Sequence, residues 1–339
     1  MNITENKAKN GLTTRQILTL LMLPKCGRKT ALKIASAAQG MEMGSDYDLA
    51  DFLTYCRENG RVRRMVEYTQ KDVMNAARKA DHIIEDSQRE GVGIIGFYDI
   101  GFPSRLRGLV SENGSVDPPA VLYYKGDLSI AEMPSIAIIG TREATKEGVV
   151  AGEVFGKMFA EKGFNIVSGL ALGCDSAGHR GALKGNGVTT SFLAHGLDTV
   201  YPAENTELAR SIVENGGLLM SEYPIGERVI PNRFVERDRL QAGLADATLV
   251  IQTGEHGGTM HAAKATLAAH KPLFVVRYKS DMLMLHDKVR GNSLLASLGA
   301  RYLTAENADD VIAELLASKS ASPSVKDTSV GQGQITMEF

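Results

Sequence analysis

The chain has 339 residues, of which 43% are hydrophobic and 23% charged, and its formal net charge at pH 7 is −2. The length allows two domains, and the charge excludes non-specific coating of nucleic acid, so any nucleic-acid contact needs a local basic patch. Cys26, Cys56 and Cys174 are too far apart to predict a disulfide framework or a zinc site. Without a signal core or a membrane-spanning apolar run, the sequence predicts a cytoplasmic protein that does not enter a membrane.

Residues 1–90 are predicted to form a helical domain. Apolar residues recur at helical spacing after a candidate N-cap at Thr13, and a second helix is predicted to begin at Arg28. Further helices are predicted over 47–58 and 70–90.

The turn between the first two helices, residues 23–27, resembles that of a helix-hairpin-helix. In that motif the N-terminus of the second helix meets a DNA phosphate, as helix N-termini favour anions. One of the two usual turn glycines is missing, because Lys25 stands in its place. A purely structural hairpin is therefore an equal alternative to DNA contact through three basic residues, which are Lys25, Arg28 and Lys29.

From residue 92 the pattern changes to strands that alternate with helices. Alternation with short connections predicts a doubly wound α/β sheet over 91–317. The strands are predicted at 92–98, 118–126, 135–139, 165–169, 188–194, 217–222, 247–252 and 272–277. The helices are predicted at 146–162, 175–184, 204–214, 233–244, 259–270 and 306–317.

Three of these strands stop at glycine-containing backbone where a helix should begin. In an open parallel sheet the carboxyl ends of the strands form the edge where ligands bind, and helix N-termini there favour phosphates. Gly140, Thr141 and Arg142 follow the first of these strands, and the Arg142 guanidinium suits bidentate phosphate contact. Ser168 and Gly169 leave the next strand at the same edge. The alternative is purely structural, in which Gly140 only ends the strand and Arg142 is solvated.

No catalytic residue, metal or cofactor is predicted at this edge. Ser168 has no demonstrable base, and the Gly-x-Gly-x-x-Gly spacing of dinucleotide sites is absent. Asp175 and His179 are predicted to cap and pack a helix. His256 and His261 lie five residues apart with no carboxylate at ligand spacing, which argues against a metal site.

Two later segments add candidate phosphate ligands. Residues 231–239 interleave arginines with acidic residues. The arginines could follow a sugar–phosphate backbone while Phe234 offers a face to a base, or they could form internal ion pairs. After the 247–252 strand, a glycine-rich helix start could present backbone N–H groups to a phosphate. The candidates are Arg233, Arg237, Arg239, Gly257, Gly258 and Thr259.

The end of the sequence contains a short peptide pattern. Residues 318–333 are small and polar, which predicts a flexible linker within a tail over 318–339. Residues 334–339 match the Gln-x-x-(Leu/Met)-x-Phe pattern of bacterial sliding-clamp ligands, although such short patterns also arise by chance. Gln334, Met337 and Phe339 would be the residues that enter the clamp.

Seven sequence blocks in this order resemble the DprA/Smf family of bacterial DNA-processing proteins. The blocks are Gly101-Phe-Pro-Ser-Arg-Leu, Pro119-Ala-Val-Leu-Tyr-Tyr-Lys-Gly, Gly140-Thr-Arg, Val167-Ser-Gly-Leu-Ala-Leu-Gly-Cys-Asp, His179-Arg-Gly-Ala-Leu, Gly196-Leu-Asp-Thr-Val-Tyr-Pro-Ala-Glu-Asn and Leu219-Met-Ser-Glu-Tyr-Pro-Ile-Gly. The resemblance extends from about Gly101 to Val276.

The resemblance implies an extended Rossmann-like domain that binds single-stranded DNA without catalysis, forms a homodimer and delivers the RecA recombinase onto the DNA. It implies a sterile-alpha-motif-like (SAM-like) helical domain before it. It places phosphate binding at Gly140, Thr141 and Arg142, and it aligns Arg237 and Arg239 with the family's Arg-Asn-Arg block. Asp238 stands at the asparagine of that block and adds negative charge near the implied DNA path.

Departures from the family pattern leave alternatives open. Gly257-Gly-Thr-Met-His-Ala replaces Ser-Gly-Ser-Leu-Ile-Thr-Ala, Arg277-Tyr278 replaces Pro-Gly, and no winged helix is predicted after the sheet. One alternative is a DprA-like member of a phage-defence or toxin–antitoxin pair that restrains a toxin. Another is a nucleotide-sensing or nucleotide-hydrolysing protein of the lysine-decarboxylase-like superfamily. The motif of that superfamily is Pro-Gly-Gly-x-Gly-Thr-x-x-Glu. The matching segment of this chain lacks the final glutamate, which argues against hydrolysis.

Overall fold

The computed structural model describes residues 11–111 and 113–321. Strands and helices alternate after a helical start, in the order that the sequence predicts. The strands are β1 (Gly93–Gly96), β2 (Val121–Gly126), β3 (Ser135–Ile139), β4 (Asn165–Ser168), β5 (Thr189–Leu193), β6 (Leu218–Ser221), β7 (Ala247–Val250), β8 (Leu273–Val276) and β9 (Arg301–Leu303). The helices are α1 (Thr14–Leu21), α2 (Arg28–Ala37), α3 (Asp46–Glu58), α4 (Gln70–Arg89), α5 (Ser104–Arg107), α6 (Lys146–Glu161), α7 (Cys174–Lys184), α8 (Thr206–Glu214), α9 (Pro231–Leu244), α10 (Gly258–Ala268), α11 (Asp281–Met284), α12 (Arg290–Ser297) and α13 (Ala308–Ala321).

The described strands form one sheet in the order β1-β2-β6-β5-β4-β3-β7-β8-β9. Pairing is parallel from β6 through β9, and antiparallel where β2 joins β1 and β6. The chain moves outward from β3 in one direction through β4, β5 and β6, and in the other through β7, β8 and β9. The carboxyl ends of β3 and β7 therefore meet at the switch point where ligands bind in such sheets. The predicted doubly wound, mostly parallel α/β fold is confirmed.

The central strand β3 has helices on both of its faces. Ile138 packs in an apolar cluster with Phe159 of α6, whereas the next residue, Ile139, packs in a larger cluster with Leu240 of α9. Because successive side chains of a strand point to opposite faces, a strand covered on both sides is apolar throughout. This explains the continuous run of buried residues in β3.

The helices of the N-terminal segment also form as predicted. Thr13 caps α1, and its own backbone N–H donates to the Gln16 side chain at 2.9 Å, which completes a capping box. The segment shares the larger apolar cluster with the sheet, since Ile17 and Leu53 belong to the same cluster as Leu122 of β2. The division into domains at 1–90, 91–317 and 318–339 stays a prediction.

Four short elements were not predicted, namely β9, α5, α11 and α12. Brevity explains three of them, because α5 and α11 have four residues each and β9 has three, of which only Leu303 is buried. Such segments are too short to show a period. Gln334, Met337 and Phe339 lie outside the described residues. Within the described ranges, no helix combines the length and the apolar character needed to cross a lipid bilayer.

Glycines allow α6 and α7 to pack unusually close together. A Cβ on Gly181 of α7 would lie 2.3 Å from the Glu153 carbonyl oxygen of α6, and a Cβ on Gly156 would lie 2.5 Å from the Gly178 carbonyl oxygen. Both distances are shorter than a van der Waals contact, and both obstacles are backbone atoms that cannot rotate away. The two helices can hold this separation only if these positions lack side chains.

We therefore expect Gly181→Ala to lower the free energy of unfolding by about 1–3 kcal/mol, because the extra methyl forces the helices apart. Urea-induced unfolding followed by circular dichroism measures it. Gly108→Ala is the matched control, because a Cβ there meets nothing within 4 Å, and it should change stability by less than about 0.5 kcal/mol. Equal stability of the two variants would contradict the close packing.

Candidate functional site at the carboxyl edge of the sheet

The loop after β3 is built by backbone contacts across the switch point. A Cβ on Gly140 would lie 2.6 Å from Cys174 Sγ and 2.8 Å from the Gln252 carbonyl oxygen, so only glycine fits. The Thr141 N–H donates to that same Gln252 carbonyl at 2.8 Å, and the Thr141 carbonyl accepts from the Cys174 N–H at 3.2 Å. Gly140 and Thr141 thus join β3 to the loop after β7 and to α7. The backbone N–H of Thr141 is occupied within the fold.

Arg142 is the first exposed side chain of this loop, and it lies over an aromatic ring. Its Cζ is 4.6 Å from the ring centroid of Phe234 on α9, a cation–π distance. The ring of Tyr201 lies 6.0 Å from that of Phe234 and is 48% exposed. A cation and two partly exposed rings therefore lie side by side at the edge. Tyr201 was missed as a site residue, although it stands in one of the family-like blocks after the β5 strand.

Ser168 has a structural role and does not reach the surface. Its side chain is fully buried, and its hydroxyl donates to the Ile138 carbonyl of the neighbouring strand at 2.6 Å. This contact is a correction to its prediction as a phosphate-binding residue. Gly169 also has a structural role. A Cβ there would lie 1.1 Å from Arg237 Nη1, so only glycine leaves room for the guanidinium. The Arg237 guanidinium rests directly on the Gly169 backbone.

Arg237 is a buried cation with incomplete hydrogen bonding. Its residue surface is 3% exposed. Nη1 lies 3.8 Å from Asp175 Oδ2, and Nε lies 3.3 Å from Asp238 Oδ1. Neither nitrogen has a hydrogen-bond partner among the described residues. Burial raises the pKa of Asp175, while Arg237 opposes that rise. Unsatisfied buried donors of this kind are rare and mark strain, water or a ligand site.

Arg239 and Arg28 belong to an internal ion-pair network and not to the open edge. Arg239 contacts the Glu222 carboxylate and donates to the Asp117 carbonyl oxygen at 2.8 Å. Arg28 donates to both carboxylate oxygens of Asp117 at 2.8 and 2.7 Å, and to Glu222 at 3.2 Å. For these two residues the structure favours the ion-pair alternative, and both leave the set of candidate DNA ligands.

The side chains of the other basic candidates differ in their exposure to solvent. Arg233 donates to Glu227 at 2.7 Å and its Cζ lies 4.2 Å from the Tyr223 ring centroid, so its contacts are local. Lys29 is exposed and its Nζ lies 3.7 Å from Asp117. Lys25 is exposed on the turn before α2, with φ of +58°.

The start of α10 meets a carboxylate from α9. Gly257 has φ of +116°, which favours glycine, and Gly258 and Thr259 open the helix. A Cβ on Gly258 would lie 3.1 Å from Asp238 Oδ2. Asp238 thus connects Arg237 with this helix start. Among residues 11–111 and 113–321, no group of three or more His, Cys, Asp or Glu residues is arranged to hold a metal ion.

Comparison with known families and sequences relates this chain to DNA-processing proteins. The family of DNA recombination-mediator protein A matches residues 93–316. Protein Smf of Synechocystis sp. is 35% identical over 198 residues, covering 54% of this chain and 50% of that protein. DNA processing protein DprA of Bacillus subtilis is 30% identical over 239 residues, covering 70% of this chain and 76% of that protein. This chain therefore matches half of the length of the Synechocystis relative, and 43% of that of Escherichia coli protein Smf.

Solved structures show the same fold. DprA from Streptococcus pneumoniae matches with a TM-score of 0.65 and 26% identity, over 93% of this chain and 99% of that chain. DNA processing protein A from Helicobacter pylori matches with a TM-score of 0.57 and 29% identity, over 67% of this chain and 96% of that chain. The Helicobacter pylori structure concerns a single-stranded DNA binding mode. The resemblance found in the sequence is confirmed.

The geometry predicts that Asp175 holds Arg237 in place. We expect Asp175→Ala to lower the free energy of unfolding by about 3–5 kcal/mol, because it leaves a buried guanidinium with less compensating charge. Asp309→Ala is the matched control, since Asp309 also lies in the first turn of a helix, α13, but is exposed. Asp309→Ala should lower the free energy of unfolding by less than about 1 kcal/mol. Similar losses in urea unfolding would show that Asp175 is only a helix-terminal charge.

Proposed function

The chain belongs to the DNA recombination-mediator protein A family, and from this we propose that it binds single-stranded DNA along the carboxyl edge of its sheet. The proposed role is that of a non-enzymatic mediator of DNA processing and recombination in the cytoplasm. We further propose, from the family resemblance, that it acts as a homodimer and delivers a RecA-type recombinase onto the bound strand.

One observation carries the DNA-binding proposal, namely the exposed Arg142 guanidinium stacked on Phe234 with Tyr201 beside it. A single strand presents phosphates and unstacked bases in alternation. Adjacent cationic and aromatic groups can contact both, and stacking on a ring tolerates any base sequence. Binding without sequence preference follows, since neither phosphate contacts nor stacking on a ring depends on which base is present.

The positive potential of the edge is local, because the whole chain has a net charge of −2. Arg142 is an exposed cation at this edge, Arg237 contributes from behind the Gly169 backbone, and Gly257–Thr259 contribute the partial positive charge of a helix N-terminus. Arg28, Arg233 and Arg239 are paired with carboxylates. Two or three phosphate contacts remain, which predict a log–log salt slope of roughly −1.4 to −2.

Arg142→Ala tests the proposal, because this side chain is exposed and the fold does not depend on it. We expect the affinity for a fluorescein-labelled oligothymidylate to fall about tenfold and the salt slope to become shallower by about 0.7, the value of one phosphate contact. Fluorescence anisotropy at several salt concentrations measures both quantities.

Arg301→Ala is the matched control. Arg301 is exposed, and as the first residue of the parallel strand β9 it lies at the amino ends of the strands, away from the carboxyl edge. The substitution removes the same charge and should leave both affinity and salt slope unchanged. If Arg142→Ala binds the oligonucleotide as tightly as the wild-type chain, the strand does not follow this edge.

The clamp peptide over 334–339 gives a separate prediction about partners. We expect Phe339→Ala to abolish capture of the chain by an immobilised bacterial sliding clamp, because it removes an apolar anchor of the pattern. Thr336→Ala changes a position that the pattern leaves free, and it should bind like the wild-type chain. Absence of clamp binding by the unaltered chain would exclude this partner.

A further inference from the structure

Asp238 occupies a place where an anion would be expected to bind. Its Oδ2 lies 3.1 Å from the position of a Cβ on Gly258, at the start of α10. Its Oδ1 accepts a hydrogen bond from the Gln241 side-chain amide at 3.1 Å and lies 3.3 Å from Arg237 Nε. The carboxylate therefore lies between a buried cation and a helix N-terminus, two features that attract negative charge.

Charged groups surround Asp238 from several elements, and it lines one pocket together with Arg28, Lys29, Asp117, Glu236, Arg239 and His261. Arg237 belongs to the same helix, Arg142 comes from the loop after β3, His261 from α10 and Asp175 from α7. Burial raises the pKa of Asp238 to about 6, and Asp175 adds to that rise, while Arg237, Arg142 and His261 oppose it. Asp238 is thus costly to ionise even with these cations near it.

We propose that Asp238 is an internal counter-ion that competes with DNA phosphates for Arg142, Arg237 and the start of α10, and so limits the affinity of the edge. This inference rests on the proposed function. The ionised carboxylate repels an incoming phosphate and partly neutralises the cations that would hold it. After it takes a proton from solvent, the carboxyl group has an O–H that can donate to a phosphate oxygen.

The direction of the pH dependence follows from charge. A bound phosphate places negative charge beside Asp238, which favours its protonated form, so binding takes up a proton. Affinity should therefore rise as pH falls from about 7.5 to 5.5, through the pKa of Asp238.

Asp238→Asn tests the proposal, because it keeps the shape of the side chain and removes the charge. At pH 7.5 we expect the labelled oligothymidylate to bind about threefold to tenfold more tightly, as for the loss of one repulsive charge in a partly solvated site. The gain in affinity between pH 7.5 and 5.5 should be much smaller in this variant than in the wild-type chain, because the group that takes up the proton is gone.

Glu236→Gln is the control, since Glu236 is an exposed acid two residues away on the same helix and accepts a hydrogen bond from Tyr223. Its effect should be smaller than that of Asp238→Asn. Equal gains from both variants would reduce the effect to overall charge and overturn the inference, as would a wild-type pH profile in Asp238→Asn. Failure of the wild-type chain to bind the oligonucleotide at any pH would overturn the proposed function and this inference together.

Discussion

The carboxyl edge of the sheet depends on the close approach of the Arg237 guanidinium to the backbone at Gly169. A buried cation is costly unless charge and hydrogen bonds compensate it, and here Asp175 and Asp238 provide the charge while two of the guanidinium nitrogens lack hydrogen-bond partners among the described residues. The position of β4 relative to α9 is set by this contact, because no residue larger than glycine leaves room for it. A buried cation balanced by two carboxylates thus lies directly beneath the edge.

The two faces of helix α9 make different contacts. One face presents Phe234 to Arg142 and places Arg237 under the edge. The other face carries Arg239 into the network with Asp117 and Glu222, which also holds Arg28 of the helical segment. The ion-pair network therefore fixes the helical segment to the same helix that builds the edge. A displacement of that segment would act on the edge through α9.

The order of elements could be predicted from the sequence because the buried strands are continuous apolar runs and the helices are periodic. The meeting of the segments after β3 and β4 at one edge of the sheet also followed, since parallel strands bring their carboxyl ends together. The roles of single residues did not follow. The acids that pair with Arg239 lie 122 and 17 residues away in the sequence, and the carbonyl that accepts from Ser168 lies 30 residues away.

The prediction that Arg237 and Arg239 both contact the DNA could have been avoided from helix geometry alone. Arg237 and Arg239 are two positions apart on a helix, so their side chains point about 200° apart and cannot face the same ligand. The residue between them, Asp238, brings its Oδ2 within 3.1 Å of the position of a Cβ on Gly258, at the start of α10. The edge is consequently a balanced cluster in which two carboxylates face the buried cation. Under the proposed function, its attraction for a polynucleotide would depend on which of those carboxylates is ionised, and not on the number of arginines in the segment.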